Sequence, residues 1–270
     1  MAVEKLSEYQ DDFVGIYKKH MNEIELYVAR ELKGGDFIYA KGQKRIESTL
    51  KSKFSNMVSS MQSYMERESK RLANEQSGRL FDDLQAAGLH QEQTRTQIRK
   101  ANKKLAVNST TNNINYVVNQ AQKMRGDIMS QVKRFTQEVS QKSRVEGKAK
   151  KQVVGEMRGK FLERTLEHNF QDSKFRRWDS QVYFSMFAKT YFGNLEREIY
   201  SNGMSLSGND LVKISSHNAE DNCRFYENEV VSLTGSTPGY RTLQEITGPR
   251  KIFHPRCRHT YTAYSPDTGE

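Results

Sequence analysis

Between Asp12 and Leu32 the apolar residues Phe13, Ile16, Tyr17, Ile24, Tyr27, Val28 and Leu32 recur at helical spacing, which predicts a helix with one buried stripe, closed by Gly34-Gly35. A second run, Ile46, Leu50, Phe54, Met57, Met61, Tyr64 and Met65, repeats the pattern with serines and charges between. Phe81, Leu84 and Ala87 carry it weakly to Gly88. The strongest signal follows Asn108-Ser-Thr-Thr-Asn-Asn113, a cluster of N-cap residue types that predicts a helix start. There Ile114, Val117, Val118, Ala121, Met124, Ile128, Val132, Phe135 and Val139 approach a heptad seam, with Gly126 inside it. Another helix is expected over Val153, Val154, Met157, Phe161, Leu162 and Leu166. A last one is expected from Trp178 to Ile199, where Tyr183, Phe184, Phe187, Tyr191 and Phe192 form an aromatic stripe that reads as core.

After Gly203 the texture changes to short runs rich in β-formers: 211–216, 229–233 and 257–264, punctuated by Gly235-Ser-Thr-Pro-Gly239 and Thr247-Gly-Pro249. All four prolines, Pro238, Pro249, Pro255 and Pro266, fall in this tail, so the upstream chain lacks the strongest helix breaker. The expected fold class is therefore α+β. A long, mostly helical region, residues 1–175, forms a bundle or an extended arm, and a small α+β unit with a short antiparallel sheet occupies 176–270.

Charge divides along similar lines. Residues 201–270 hold seven Lys/Arg and eight Asp/Glu, leaving 36 basic against 25 acidic residues upstream. The helical region is thus net positive, with concentrations at Arg95, Arg99, Lys100, Lys103 and Lys104 and again at Lys148, Lys150 and Lys151. Such a surface attracts polyanions by counterion release, nucleic acid, double-stranded DNA included, being the commonest; a solvated basic helix face is the other reading. Apolar content of 35% beside 28% charged residues fits long helices that lean on a partner, so an oligomer or assembled state is expected. No apolar run approaches the roughly 18 residues of a membrane span. The first ten residues lack the pattern of a secretory signal, and two cysteines are too few for a disulfide framework, so the chain is expected to stay in a reducing cytoplasm where it is made.

Candidate chemistry is confined to the tail. His217, Cys223, His254, Cys257 and His259 supply thiolate and imidazole donors on two separated loops, an arrangement from which zinc sites are assembled. On a strand, Cys257 and His259 would share one face and Arg258 the other. Buried cysteines and histidines that merely pack, or a Cys223–Cys257 disulfide formed after release from the cell, are the alternatives. Cys257 with His217 or His254 would give two parts of a cysteine nucleophile, though no oxyanion-forming glycine turn is recognisable beside them; His254, Arg258, His259 and Tyr261 would give a metal-independent nuclease, and a structural element with polar packing is the favoured reading of that cluster. Glu227 and Glu229 alternate on a strand-like stretch and read as a solvated face.

One ordered set of residues carries a resemblance. Arg177-Trp-Asp-Ser-Gln-Val-Tyr183 through Thr190, then Gly203, Asp210 through His217, Cys223, Glu229-Val-Val-Ser-Leu-Thr-Gly235-Ser-Thr-Pro238-Gly-Tyr240 and Phe253-His-Pro-Arg-Cys-Arg-His259 resemble phage minor capsid proteins of the head-morphogenesis group that includes the phage Mu F-like proteins. The resemblance covers roughly residues 176–264. The chain has Lys189-Thr190 where relatives often have Arg-Thr, and lacks the second cysteine that some carry just after the position of Cys223. The resemblance implies a non-enzymatic structural protein, present in few copies, associated with the portal and head interior. It would contact portal, capsid or scaffolding proteins and act in head assembly, with a role in DNA packaging or ejection. It would reside in the host cytoplasm during assembly and then in the virion. Some relatives carry fused toxin domains, for which the six residues after Tyr264 are expected to leave no room. A nuclease or other toxin effector using the His/Cys/Arg tail is the alternative from another class, and a stand-alone DNA-binding module a third.

Overall fold

A computed structural model describes residues 2–89, 93–165, 169–171, 177–248 and 251–268. Helices α1 (Ala2–Gly34), α2 (Ala40–Ala86), α3 (Arg95–Glu146) and α4 (Lys150–Thr165) precede a two-stranded antiparallel pair, β1 (Asn169–Gln171) with β2 (Arg177–Asp179). Helix α5 (Ser180–Leu206) leads into an antiparallel sheet of order β4 (Val230–Ser232), β3 (Leu211–Ile214), β5 (Tyr261–Ala263), with the short helix α6 (Leu243–Ile246) between β4 and β5. The α+β class holds, with long helices first and a small sheet last.

The helix ends have local causes. Gly35 (φ 75°) follows α1, and Gly88 (φ 65°) sits after α2, where the Leu89 amide reaches back to the Leu84 carbonyl at 2.9 Å and the Gly88 amide to that of Gln85 at 3.2 Å, the paired bonds of a Schellman motif. Helix α3 does not start at Asn108–Asn113. It starts at Arg95, behind a capping box in which the Gln97 amide donates to Thr94 Oγ1 and the Thr94 amide to Gln97 Oε1. The cap-type residues lie inside the helix because Thr110, Thr111 and Asn113 donate to carbonyls four residues back, at 2.9–3.0 Å. Trp178 likewise precedes its helix, lying in β2, and Asp179 caps α5 by accepting from the amides of Gln181 and Val182.

By packing, the chain forms two compact units, neither a continuous stretch: Met1–Asp11, Tyr64–Asn113 and Met186–Glu270 make one, Asp12–Ser63 and Ile114–Ser185 the other. The division by composition at residue 175 and this division by packing do not coincide. In the second unit the α3 seam is buried as its spacing predicts, from Val117 to Val139. Its aromatic contacts run from Phe37 to Phe135 (5.5 Å) and from Phe135 to Phe161 (4.2 Å), with Phe13 and Tyr17 against Phe184.

The first unit holds the sheet. Leu80, Phe81 and Leu84 of α2, Ile98 of α3, Tyr200 and Met204 of α5, and Val212, Ile214, Val231 and Tyr261 of the strands share one core. Helix α5 approaches α2 closely at Gly203, where an added Cβ would meet Leu80 Cδ2 at 2.3 Å. A buried hydroxyl cluster joins three helices: Tyr191 lies 2.8 Å from both Ser69 Oγ and Thr110 Oγ1. The sheet is therefore packed into the helices of its unit, and its loops are held against a fixed frame.

Candidate functional site

The site grows from two turns beside β3 and β5. Beyond β3, Asp221 caps the 3-10 helix Asn222–Tyr226 by accepting from the Cys223 amide at 2.9 Å, which turns Cys223 inward to 1% exposure. Opposite, the Cys257 amide donates to the His254 carbonyl at 2.9 Å. Phe253 (φ 60°) and Arg256 (φ 70°) in this turn are left-handed, a conformation side chains rarely adopt. The Phe253 ring is packed in place: the Arg197 guanidinium lies 4.6 Å from its centre, and Tyr261 meets it edge-on.

The turns bring the sulfurs of Cys223 and Cys257 to 3.8 Å. His259 Nδ1 stands 3.3 Å from the Cys257 sulfur, and donor atoms of Cys223, Cys257 and His254 lie within 4.8 Å of one another. Residues 257–260 are not strand, contrary to the expected run over 257–264; the turn ends at the left-handed Arg256, an irregular segment follows, and β5 spans only Tyr261–Ala263. Cys257 and His259 meet two residues apart on that irregular segment rather than on a strand face.

Two carboxylates hold the imidazoles. Glu227, expected on a solvated strand face, instead precedes β4 with a side chain only 10% exposed. It accepts from the amides of His217 and Ala219, from Ser216 Oγ and from His259 Nε2, all at 3.0–3.1 Å. The two amides are the main reason its carboxyl is held down to about 2. Glu229 does behave as a surface residue, paired with Arg241 at 3.1 Å. Asp221 accepts from His254 Nε2 at 3.0 Å, and the Cys223 amide keeps its carboxyl below the usual range.

Thiols and imidazoles divide their charge unequally. Burial opposes ionisation of Cys257, but the hydrogen bond with His259 and the amides of His259 and Phe253 aimed at its sulfur outweigh it and bring the thiol below its ordinary value. Cys223 moves the other way, because it is buried and faces the Cys257 charge. Burial opposes the charge on His259 too, yet Cys257 and Glu227 raise it. Burial and the neighbouring His259 lower His217, whose ring centre is 4.1 Å from that of His259. The result is a buried pair of soft sulfur donors, flanked by imidazoles whose outer nitrogens face carboxylates.

All five histidines and cysteines expected as metal donors thus converge, with His217 on the rim. The basic residues do not form one group. Arg95 and Arg99 lean over the Phe81 ring at 5.1 and 5.4 Å, while Lys100, Lys103 and Lys104 are exposed. Lys148 belongs to the other packing unit, bonded at 2.9 Å to both Glu146 and Glu156; Lys150 and Lys151 are exposed there. Asp221 and Glu227 were missed. An Asx turn two residues before Cys223 was the available signal for the first; Glu227 had none, since its partners arrive from three separate segments.

The polar motif after β4 has a structural purpose. Asp210, at the start of β3, accepts from Ser232 Oγ, from the amide and hydroxyl of Thr234 at 2.9 and 2.7 Å, and from Thr237 Oγ1 at 2.9 Å. The Ser-Leu-Thr-Gly-Ser-Thr run therefore closes around one aspartate, with Gly235 (φ 84°) permitting the turn. The segments that carried the resemblance are the ones that lock the sheet and shape the site. A family model described as phage minor capsid protein 2 matches residues 1–270. The chain belongs to that family.

As a phage minor capsid protein it is a structural protein of the phage head, assembled with other components of the virion. The match includes helices α1 to α4, which lie outside the 176–264 resemblance. No curated protein and no solved structure matches the chain. No helix among the described residues is long and apolar enough to cross a membrane.

Proposed function

We propose that this minor capsid protein is a non-enzymatic head component that associates with the portal and the head interior, acts in head assembly, and contacts double-stranded DNA through exposed lysines of α3. The observation that carries the reading is the family match over the whole chain, which includes the basic helices. Lys100, Lys103 and Lys104 are its DNA-facing candidates because they are exposed, whereas Lys148 is compensated by two glutamates. A nuclease reading has less support. His259 is 1% exposed and engaged on both ring nitrogens, so a phosphodiester has no approach to it in this conformation.

Sedimentation of the purified chain with the portal oligomer of its source phage, and separately with duplex DNA over a salt series, tests this. The expected result is co-sedimentation with portal, and DNA retention that falls steeply with salt. The variant Lys100→Gln/Lys103→Gln/Lys104→Gln should flatten the salt dependence by roughly one unit of slope per lysine while leaving portal binding intact. A chain that stays a free monomer beside portal and capsid proteins would overturn the assembly role, and salt-insensitive retention the DNA contact.

A further inference from the structure

We propose that Cys223, His254, Cys257 and His259 form a tetrahedral zinc site that ties the 3-10 helix Asn222–Tyr226 to the turn ahead of β5. The sulfurs are 3.8 Å apart. With zinc–sulfur bonds of about 2.3 Å, the edge of a tetrahedron between two thiolates is also about 3.8 Å. His259 Nδ1, 3.3 Å from the Cys257 sulfur, lies near the roughly 3.5 Å edge expected between sulfur and imidazole nitrogen in such a site. His254 supplies the fourth donor, from a group whose atoms lie within 4.8 Å of both sulfurs. Its Nδ1 is 2.9 Å from the Pro255 carbonyl, which leaves Nε2 to exchange Asp221 for the cation.

Glu227 belongs to this site as an outer partner and not as a ligand. Its Oε1 already accepts from two amides and from His259 Nε2, so its acceptor capacity is taken up. Binding His259 Nε2 directs the opposite nitrogen at the sulfur, the carboxylate–histidine relation that orients metal ligands. The same occupancy argues against a second centre made of His217, Glu227 and His259. A cavity lined by His217, Asp221, His254, Arg256 and Arg258 opens onto the buried sulfurs, so a cation has a route in.

Titration of the full-length, reduced protein with cobalt(II) reads the site directly. One equivalent should develop the intense visible bands of tetrahedral cobalt and a near-ultraviolet sulfur-to-cobalt band, and zinc should displace both. Cys223→Ser and Cys257→Ser should each remove about half of the charge-transfer band and the double variant all of it, Glu227→Gln should weaken binding by about tenfold or more, and His217→Ala should leave it unchanged. Should a cysteine variant fail to fold, the unsubstituted chain still decides: stoichiometric zinc should slow alkylation of both thiols at least about tenfold, as ligation of both sulfurs requires. No thiolate–cobalt band, a band undiminished in Cys257→Ser or surviving in the double cysteine variant, thiols alkylated equally fast with and without zinc, or metal binding lost in His217→Ala but kept in His259→Ala would each overturn the proposal.

Discussion

Replacing Arg79 by leucine is expected to cost about 3 kcal/mol of folding stability, read from urea unfolding near neutral pH. Arg79 Nη1 is 3.2 Å from the Glu196 carboxylate, which is 4% exposed, and Nη2 donates to the Tyr261 carbonyl at 2.8 Å. The guanidinium also lies over the Tyr200 ring at 5.2 Å. One side chain of α2 thus compensates a buried charge on α5 and anchors the last strand. Burial already raises the Glu196 carboxyl, with Arg79 and then Arg197 pulling it back. Losing Arg79 raises it further. A carboxyl whose folded pKa lies above its unfolded one contributes stability at low pH and loses it as pH rises through the folded value. The defect should therefore be smallest near pH 4 to 5, at about the ordinary carboxylate value, and grow toward neutrality. Arg79→Leu with Glu196→Leu should recover most of the loss, since a packed apolar pair removes the uncompensated charge. A defect that is independent of pH, or a double variant no better than the single, would contradict this account of the pair.

Asp210→Ala should cost about 2 kcal/mol, the lower part of the range for several hydrogen bonds to one partly exposed carboxylate. Of its partners, Ser232 ends β4 and Thr234 and Thr237 lie on the loop after it, and β4 pairs with β3 from Leu211 onward. Burial opposes the charge on Asp210, but these donors outweigh it and hold its carboxyl well below the usual range. The sign is the reverse of that for Glu196. A depressed carboxyl contributes stability above its unfolded pKa, about 3.9, and loses it as pH falls toward the folded value. The difference between parent and variant should be full at pH 6 and shrink below about pH 4. Thermal unfolding at a series of pH values reads it, and a difference that widens in acid would be the contrary outcome.

What was legible in the sequence was whatever periodicity alone determines. The seam from Val117 to Val139 is buried at its predicted spacing because a helix of that length has one face to hide. The start of α3 was not legible in the same way. Asn108–Asn113 has the composition of a cap, yet its hydroxyls and amides are satisfied within the helix, while the working cap, Thr94 with Gln97, stood in a polar basic stretch. For the site, the residue types were visible and their geometry was not. Cys223 and Cys257 are adjacent because one lies behind an Asp221 cap and the other behind two left-handed residues, Phe253 and Arg256. Neither device changes a hydrophobic pattern. Glu227 was misread for the same reason: alternation with Glu229 suggested a strand face, whereas its environment is set by chain returns from His217, Ala219 and His259.

Quantitative mass spectrometry of gradient-purified, DNA-filled heads of the source phage tests the central claim, that this chain is a minor structural component of the virion. The account predicts the chain in every preparation, at a copy number far below that of the major capsid protein and constant relative to portal. Its absence from heads that contain portal and capsid protein at full occupancy would contradict it.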